Sequence, residues 1–545
     1  MRRVFAGLLV VELVVASHDV GAGDATPSSR SCKEFLIEAD ELPGVTHQSC
    51  RAIETDLTYL GQPYRRVDMG VTGTIDGVTA RDGPRTNYFT QSPEFVFVQT
   101  GNKAPLYHGI GVFRAEEGSA LIVIYPKNPG AWNGRMFLTA HGAGASFKHG
   151  TLKPWDKNLN PADPLAGLDK YERLMLEKGF VVAKTRRSTH KDDGDVAVTL
   201  DDHTIVMRNV TEQPRLILSF GLVARNLVRT RLGRIPTHTY WYGHSSGARP
   251  GRLTNYHEGI NRDKNGKPII DGILADDSGA GLFLPVLYKD GRDVLFSTDA
   301  DRARFVKQID ISHLYYVNAT DDDPPAWAST DYLSNKRSNA KILYDKGLGS
   351  RHRVYEVLGV SHSGGEDNIQ GGRRGDVETI DLSRLMDGFI GLLDSWVSDN
   401  VDPPPSMSDA AEIGDADRDG VIENPAISLP EIACPLGVYF QYPPSQKADG
   451  VGTTGFAPFD GRGLEPLDGR GIFVDMNLNR YRDRRETLTE AWRRLGLIGP
   501  KETFTRDKYA ACVSSVVEKL RERRLLTSRM AEAYKAKASE LRIEN

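Results

Sequence analysis

THTYWYGHSSGARP, residues 237–250, is the stretch on which the fold turns. Its first half, THTYWYG (237–243), is short, apolar and aromatic, as a strand buried on both faces should be. Gly243-His244-Ser245-Ser246-Gly247 follows at once, and a helical stretch is expected over 246–257. Glycine, two residues on either side of a serine, between a buried strand and a helix, fits a tight and strained turn that exposes the hydroxyl. Larger side chains at the two glycines would clash in such a turn. The helix that follows aims its first amides at the same point, so the Ser246 amide is a candidate donor to a developing oxyanion.

Strands and helices alternate on both sides of this turn. Further β runs are SALIVIY (119–125), RMFLTAH (135–141), GFVVAKT (179–185), PIIDGILA (268–275), HLYYVN (313–318) and RVYEVLGV (353–360). Helical stretches are expected over 165–178, 212–232, 301–308, 328–346 and 378–399. Leu382, Leu385, Met386, Phe389, Leu392, Leu393 and Trp396 mark one apolar face of the last of these. This alternation predicts an α/β fold with a mostly parallel sheet and helices on both faces. The predicted core spans 119–400. Residues 24–118 read as a β-rich N-terminal extension. Pro403-Pro404-Pro405 breaks the chain, and 406–545 reads as a C-terminal module or lid, with helices near 487–495 and 506–542.

The 545 residues carry 69 basic and 73 acidic side chains, a formal net charge of -4. A nucleic-acid partner would call for a basic surplus, which is absent. Hydrophobic residues at 39% and charged ones at 26% describe a globular chain.

The chain starts MRRVFAGLLVVELVVASHDVGAG: two arginines, then a short apolar run over 4–16 interrupted by Glu12. This reads as a secretory signal peptide within residues 1–22, cleaved after Ala16 or Ala22, and predicts a secreted or periplasmic protein. Arg2-Arg3 is a bare pair, a weak hint of twin-arginine export. No later run reaches the ~18 apolar residues of a membrane span. Four cysteines in an exported chain suggest two disulfides. Of the three connectivities, Cys32–Cys50 and Cys434–Cys512 are expected, one closing a local loop and the other stapling the C-terminal region. Sequons stand at Asn209 and Asn318.

With its serine turn and the order of its parts, the stretch 119–400 resembles the α/β-hydrolase superfamily. The resemblance implies three further parts. His141-Gly142-Ala143-Gly144, after the strand RMFLTAH, is similar to the HGGG-type oxyanion loop of lipases and esterases, with Gly142 or Ala143 as donor. His362, just past the strand RVYEVLGV, takes the place of the base that receives the Ser245 proton. The acid should follow an earlier strand. Asp321, in Asp321-Asp322-Asp323-Pro324-Pro325 after HLYYVN, is preferred, since Pro325 lies four residues on. Asp322 is the second choice, and a rival lies in Ala275-Asp276-Asp277-Ser278-Gly279, of which Asp276 is the candidate. The chain looks like a large exported bacterial esterase, distantly similar to tannases and feruloyl esterases. The cysteines that those relatives carry beside the serine and the histidine are replaced here by His244 and Ser363. The expected activity is hydrolysis of a small-molecule or polymeric carboxylic ester through an acyl-enzyme, with no cofactor needed for catalysis. The alternatives are an amidase or peptidase with the same triad, or a binding protein on the same fold.

Two runs have the spacing of calcium loops. Asp475, Asn477, Asn479, the Tyr481 carbonyl, Asp483 and Glu486 fall at positions 1, 3, 5, 7, 9 and 12 of an EF-hand-type loop, although Arg480 stands where glycine is usual. Asp415, Asp417, Asp419, Gly420 and Glu423 repeat the front half, with Ala426 at the closing position. Such an ion would be structural, since the serine chemistry needs no metal.

Overall fold

The computed structural model describes residues 30–76, 121–141, 167–185, 212–256, 260–277, 298–317, 333–360, 380–415, 419–441 and 486–541, with short pieces and single residues between them, His362 among the latter. Its centre is one large sheet. Six neighbouring strands run parallel, in the order Val181–Thr185, Arg135–His141, His238–His244, Gly272–Asp276, Lys307–Val317 and His352–Leu358. Antiparallel strands extend the first edge. Leu121–Pro126 pairs with Val181–Thr185, and the long hairpin Val45–Tyr59 and Gln62–Asp76 joins beyond it. The β-rich N-terminal segment is thus part of the same sheet.

Alternation along each strand sends side chains to opposite faces. In Arg135–His141, Phe137 enters one core, while Met136, Leu138 and Ala140 enter the other. Tyr240 and Tyr242 oppose Trp241 in the same way. Helix Glu212–Leu232 covers one face through Leu218, Val223, Leu227 and Val228. Helices Lys170–Glu177 and Ser383–Asp399 cover the other, and Leu385, Met386, Phe389, Leu392, Leu393 and Trp396 are all buried there. The apolar face read from the sequence is the face that packs.

Two helix expectations change. Residues 301–308 divide into a short helix, Asp299–Arg304, capped by Thr298 and Asp301, and the start of a strand. That strand begins at Lys307, six residues before the expected start, because Ile309 and Ile311 alternate into the core in register with Gly272–Asp276. The single helix expected over 506–542 is two, Arg506–Glu522 and Ser528–Ser539. Arg524 takes φ +59°, which ends the first, and the Thr527 side chain accepts from the Met530 amide to start the second. Gly388 on helix Ser383–Asp399 lets this corner in close: a Cβ there would sit 2.1 Å from the Leu525 carbonyl oxygen.

The C-terminal helices do not form a core of their own. Trp492, Val513, Val517, Leu520, Leu525 and Leu526 belong to the same buried cluster as Phe389 and Trp396. A disulfide joins Cys434 to Cys512 on helix Arg506–Glu522, and another joins Cys32 to Cys50. Both are the expected pairs. No helix among the described residues is long and apolar enough to cross a membrane.

Candidate active site

The carboxyl ends of the parallel strands finish at one edge of the sheet, where open α/β sheets bind their ligands. His141, His244 and Asp276 lie side by side there in register. Ser245 follows His244 at once, in a 3-10 turn Ser245–Gly247 that leads into helix Ala248–Tyr256. Its φ is +56°, a left-handed backbone that a serine adopts only at a cost. Gly243 makes the turn possible: a Cβ there would stand 2.4 Å from the Gly247 carbonyl oxygen and 2.6 Å from the Ala248 Cα. The strained turn expected from the sequence is therefore present, and its first glycine is sterically required.

His362 lies four residues beyond strand His352–Leu358 and is buried. Its Nε2 is 2.9 Å from Ser245 Oγ. Its Nδ1 is 2.5 Å from an oxygen of Asp277. A carboxylate only accepts, so Nδ1 carries the proton and Nε2 is left to accept from the serine hydroxyl. The carboxylate that meets His362 is Asp277, which corrects the expectation of Asp321. Asp321 and Asp322 lie outside the described residues. Asp276, the candidate from the rival loop, is one residue off. As the last residue of its strand it turns to His244 Nδ1 at 3.0 Å and His313 Nε2 at 2.8 Å, and accepts from the Tyr242 hydroxyl at 3.2 Å. Asp277 stands just past the strand with φ +36°, and this kink aims its side chain at His362.

A second layer lies beneath. Lys336, on helix Leu333–Asp345, places Nζ 2.6 Å from the other oxygen of Asp277. The His313 amide donates to that same oxygen at 3.1 Å. Burial pushes the Asp277 carboxyl up, but Lys336, His313 and His362 together outweigh it and hold it well below the usual carboxylate range. Burial likewise opposes ionisation of Asp276, and His313 and His244 reverse the balance downward. His313 loses basicity to burial but gains more from Asp276 and Asp277, so it ends above the ordinary imidazole value. For His244 burial wins, and the ring is held below it. Both aspartates are therefore ionised, and His313 is drawn towards its cation.

Gly142 and Ala143 follow the strand end next to Ser245 but lie outside the described residues. Ser246 sits in the 3-10 turn, as expected. Asp475, Asn477, Asn479, Tyr481 and Asp483 also lie outside the described residues. Glu486 is described, and its carboxylate pairs with Arg494 at 2.7 Å. In the other run, ligand atoms of Asp415, Asp417, Asp419 and Glu423 all fall within 4.8 Å of one another. Gly420 has φ +95°, and its amide donates to Asp415 at 2.7 Å. These four carboxylates could hold a divalent cation.

A family model described as an alpha/beta hydrolase domain matches residues 221–536, more than half of the chain. The chain belongs to the alpha/beta hydrolase family. The match crosses the triple proline at 403–405 and takes in the C-terminal helices, in keeping with their place in the common core. Among solved structures, this chain aligns with esterase Est22 at 12% identity and a TM-score of 0.26, over 50% of this chain and 76% of that one. It aligns with a truncated carbohydrate esterase from gut microbiota at 13% and 0.25, over 53% and 90%. Carboxyl esterase 2 from the mycorrhizal fungus Tuber melanosporum aligns at 16% and 0.24, over 51% and 80%. None of the curated proteins compared matches the sequence.

Lys336, His313 and Asp277 are the site residues that the sequence reading did not single out. The signal that could have found them was the pair Asp276-Asp277 directly after the buried strand residues Ile273, Leu274 and Ala275. Two carboxylates at the end of a buried parallel strand need partners, and that need marks a site.

Proposed function

We propose that this protein is an exported serine hydrolase that cleaves carboxylic esters. Ser245 Oγ attacks the ester carbonyl carbon while His362 Nε2 takes the hydroxyl proton. Asp277 holds the imidazole in the required tautomer and balances the imidazolium that forms. The oxyanion is received by the Ser246 amide and by an amide of the Gly142–Ala143 loop. His362 then gives the proton to the departing alcohol. Water, activated by the same histidine, frees the acid and restores Ser245.

One observation carries this reading: the unbroken chain of hydrogen bonds from Ser245 through His362 to Asp277 at a strained strand-to-helix turn. Membership of the alpha/beta hydrolase family supports the reaction class. Two disulfides favour an oxidising compartment, in agreement with the signal-like start of the chain. The decisive experiment is turnover of p-nitrophenyl esters of graded acyl length by wild type and by Ser245→Ala. Wild type should show a burst and then steady release, and the variant should lose several orders of magnitude in rate. Equal rates in the two proteins would overturn the assignment.

A further inference from the structure

The relay from Ser245 to Asp277 uses only one carboxylate oxygen. The other is held by a buried ammonium that the reaction as written does not need. Lys336 Nζ lies 2.6 Å from Asp277 Oδ1, with the lysine side chain 8% exposed and the aspartate fully enclosed. Burying a lysine costs rotamer freedom and hydration, so its presence needs a return.

We propose that Lys336 is a positioning residue for the site: its ammonium fixes Asp277 and offsets that carboxylate's charge as His362 feels it. This rests on the serine-hydrolase reading above.

Among the described residues, the groups around His362 and Asp277 come from four elements. Strand His238–His244 supplies Tyr242 and His244, whose ring centroid is 4.8 Å from that of His362. Strand Gly272–Asp276 supplies Asp276. Strand Lys307–Val317 supplies His313, with Nδ1 3.8 Å from Asp277 Oδ2. Helix Leu333–Asp345 supplies Lys336. Asp276 and Asp277 contribute two negative charges. Lys336 contributes a positive one, and the two carboxylates draw His313 towards its cation. Removing Lys336 takes one positive charge from the cluster, and a proton on His362 becomes easier to hold. A lone carboxylate behind the base would make the base too readily protonated, and the lysine restrains that.

The sign gives the test. A fluorophosphonate probe reacts when Ser245 Oγ bonds phosphorus, fluoride leaves and the hydroxyl proton passes to His362. The labelling rate therefore falls on the acidic side as His362 protonates, whatever the natural ester. Labelling rates are measured from pH 4.5 to about 9, and the labelled peptide is identified. Lys336→Gln keeps a donor for Asp277 and removes the charge, Lys336→Met removes both, and Lys336→Arg keeps the charge. The acidic limb should move up by about one pH unit in the Gln and Met variants and stay near wild type in the Arg variant. A folding contact alone would change rate or stability without moving that limb. Limbs that coincide in all four proteins overturn the proposal. So does loss of the native melting transition in both the Gln and Met variants, which would make the pair a folding contact. Failure of the wild type to label at Ser245 would instead sink the serine-hydrolase reading itself.

Discussion

Asp277→Asn tests the site at its least expected member. The carboxylate accepts from His362 Nδ1 at 2.5 Å. An amide can turn its NH2 towards Nδ1, and the ring proton then moves to Nε2, the atom that must accept from Ser245. For this kind of replacement the loss is about four orders of magnitude in kcat, or about 5.5 kcal/mol of barrier. The substitution also removes the charge that Lys336 pairs with at Asp277. Breaking such a pair costs on the order of 3–5 kcal/mol of stability, so the melting transition must be followed beside the rate. Asp276→Asn is the control. Asp276 touches His244, His313 and Tyr242 but not His362, so its loss should lower stability and reduce turnover far less. Steady-state p-nitrophenyl ester hydrolysis on folded protein separates the cases. The assignment of the acid fails if Asp277→Asn turns over near the wild-type rate while Asp321→Asn is crippled.

Gly243→Ala should give little or no folded, active protein, because its Cβ would meet backbone atoms at 2.4 and 2.6 Å that no side chain can yield; a soluble variant with wild-type activity would refute the turn geometry. His47 should make the protein acid-sensitive. Burial holds its imidazole down at about 4, its Nδ1 accepts from the Ile37 amide at 3.4 Å, and its Nε2 is buried without a partner. The folded state keeps it neutral while the unfolded chain protonates near 6.5, so stability is full above 6.5, is lost as pH falls from there to 4, and levels off below. The loss is on the order of 3 kcal/mol, and His47→Gln should flatten that slope in denaturant titrations; an unchanged slope assigns the effect elsewhere. Calcium, expected from spacing, should raise the melting temperature of the purified protein, by the equivalent of about 2.7 kcal/mol at a hundredfold excess over Kd. Asp419→Ala should abolish the response to chelator, and no response together with no calcium by elemental analysis would leave both acidic runs as polar turns.

Pattern along the chain was enough to place the central sheet, the helices over it and the serine turn. Buried parallel strands must be apolar on both faces, and amphipathic helices must show one stripe, so these patterns are local and survive in the linear text. THTYWYG, the helix over 212–232 and the face from Leu385 to Trp396 were legible for that reason. Gly243 and Ser245 were legible because a strained turn admits few residue types. His362 was legible from its place after a strand, with the family resemblance beside it. The acid was not. Strand ends offered carboxylates at 276, 277, 321 and 322, and which one meets His362 depends on how the chain leaves strand Gly272–Asp276. A single residue of offset reverses the side-chain direction, and only the kink at Asp277 selects it. Lys336 and His313 were further out of reach, since one comes from a helix and the other from a strand, 59 and 36 residues from Asp277. The break at Arg524 was hidden too, because a left-handed arginine leaves no mark in composition and is fixed by the close approach of Leu525 to Gly388. What pattern and local strain impose is written along the chain; what charge and contact impose across it exists only once the chain has closed on itself.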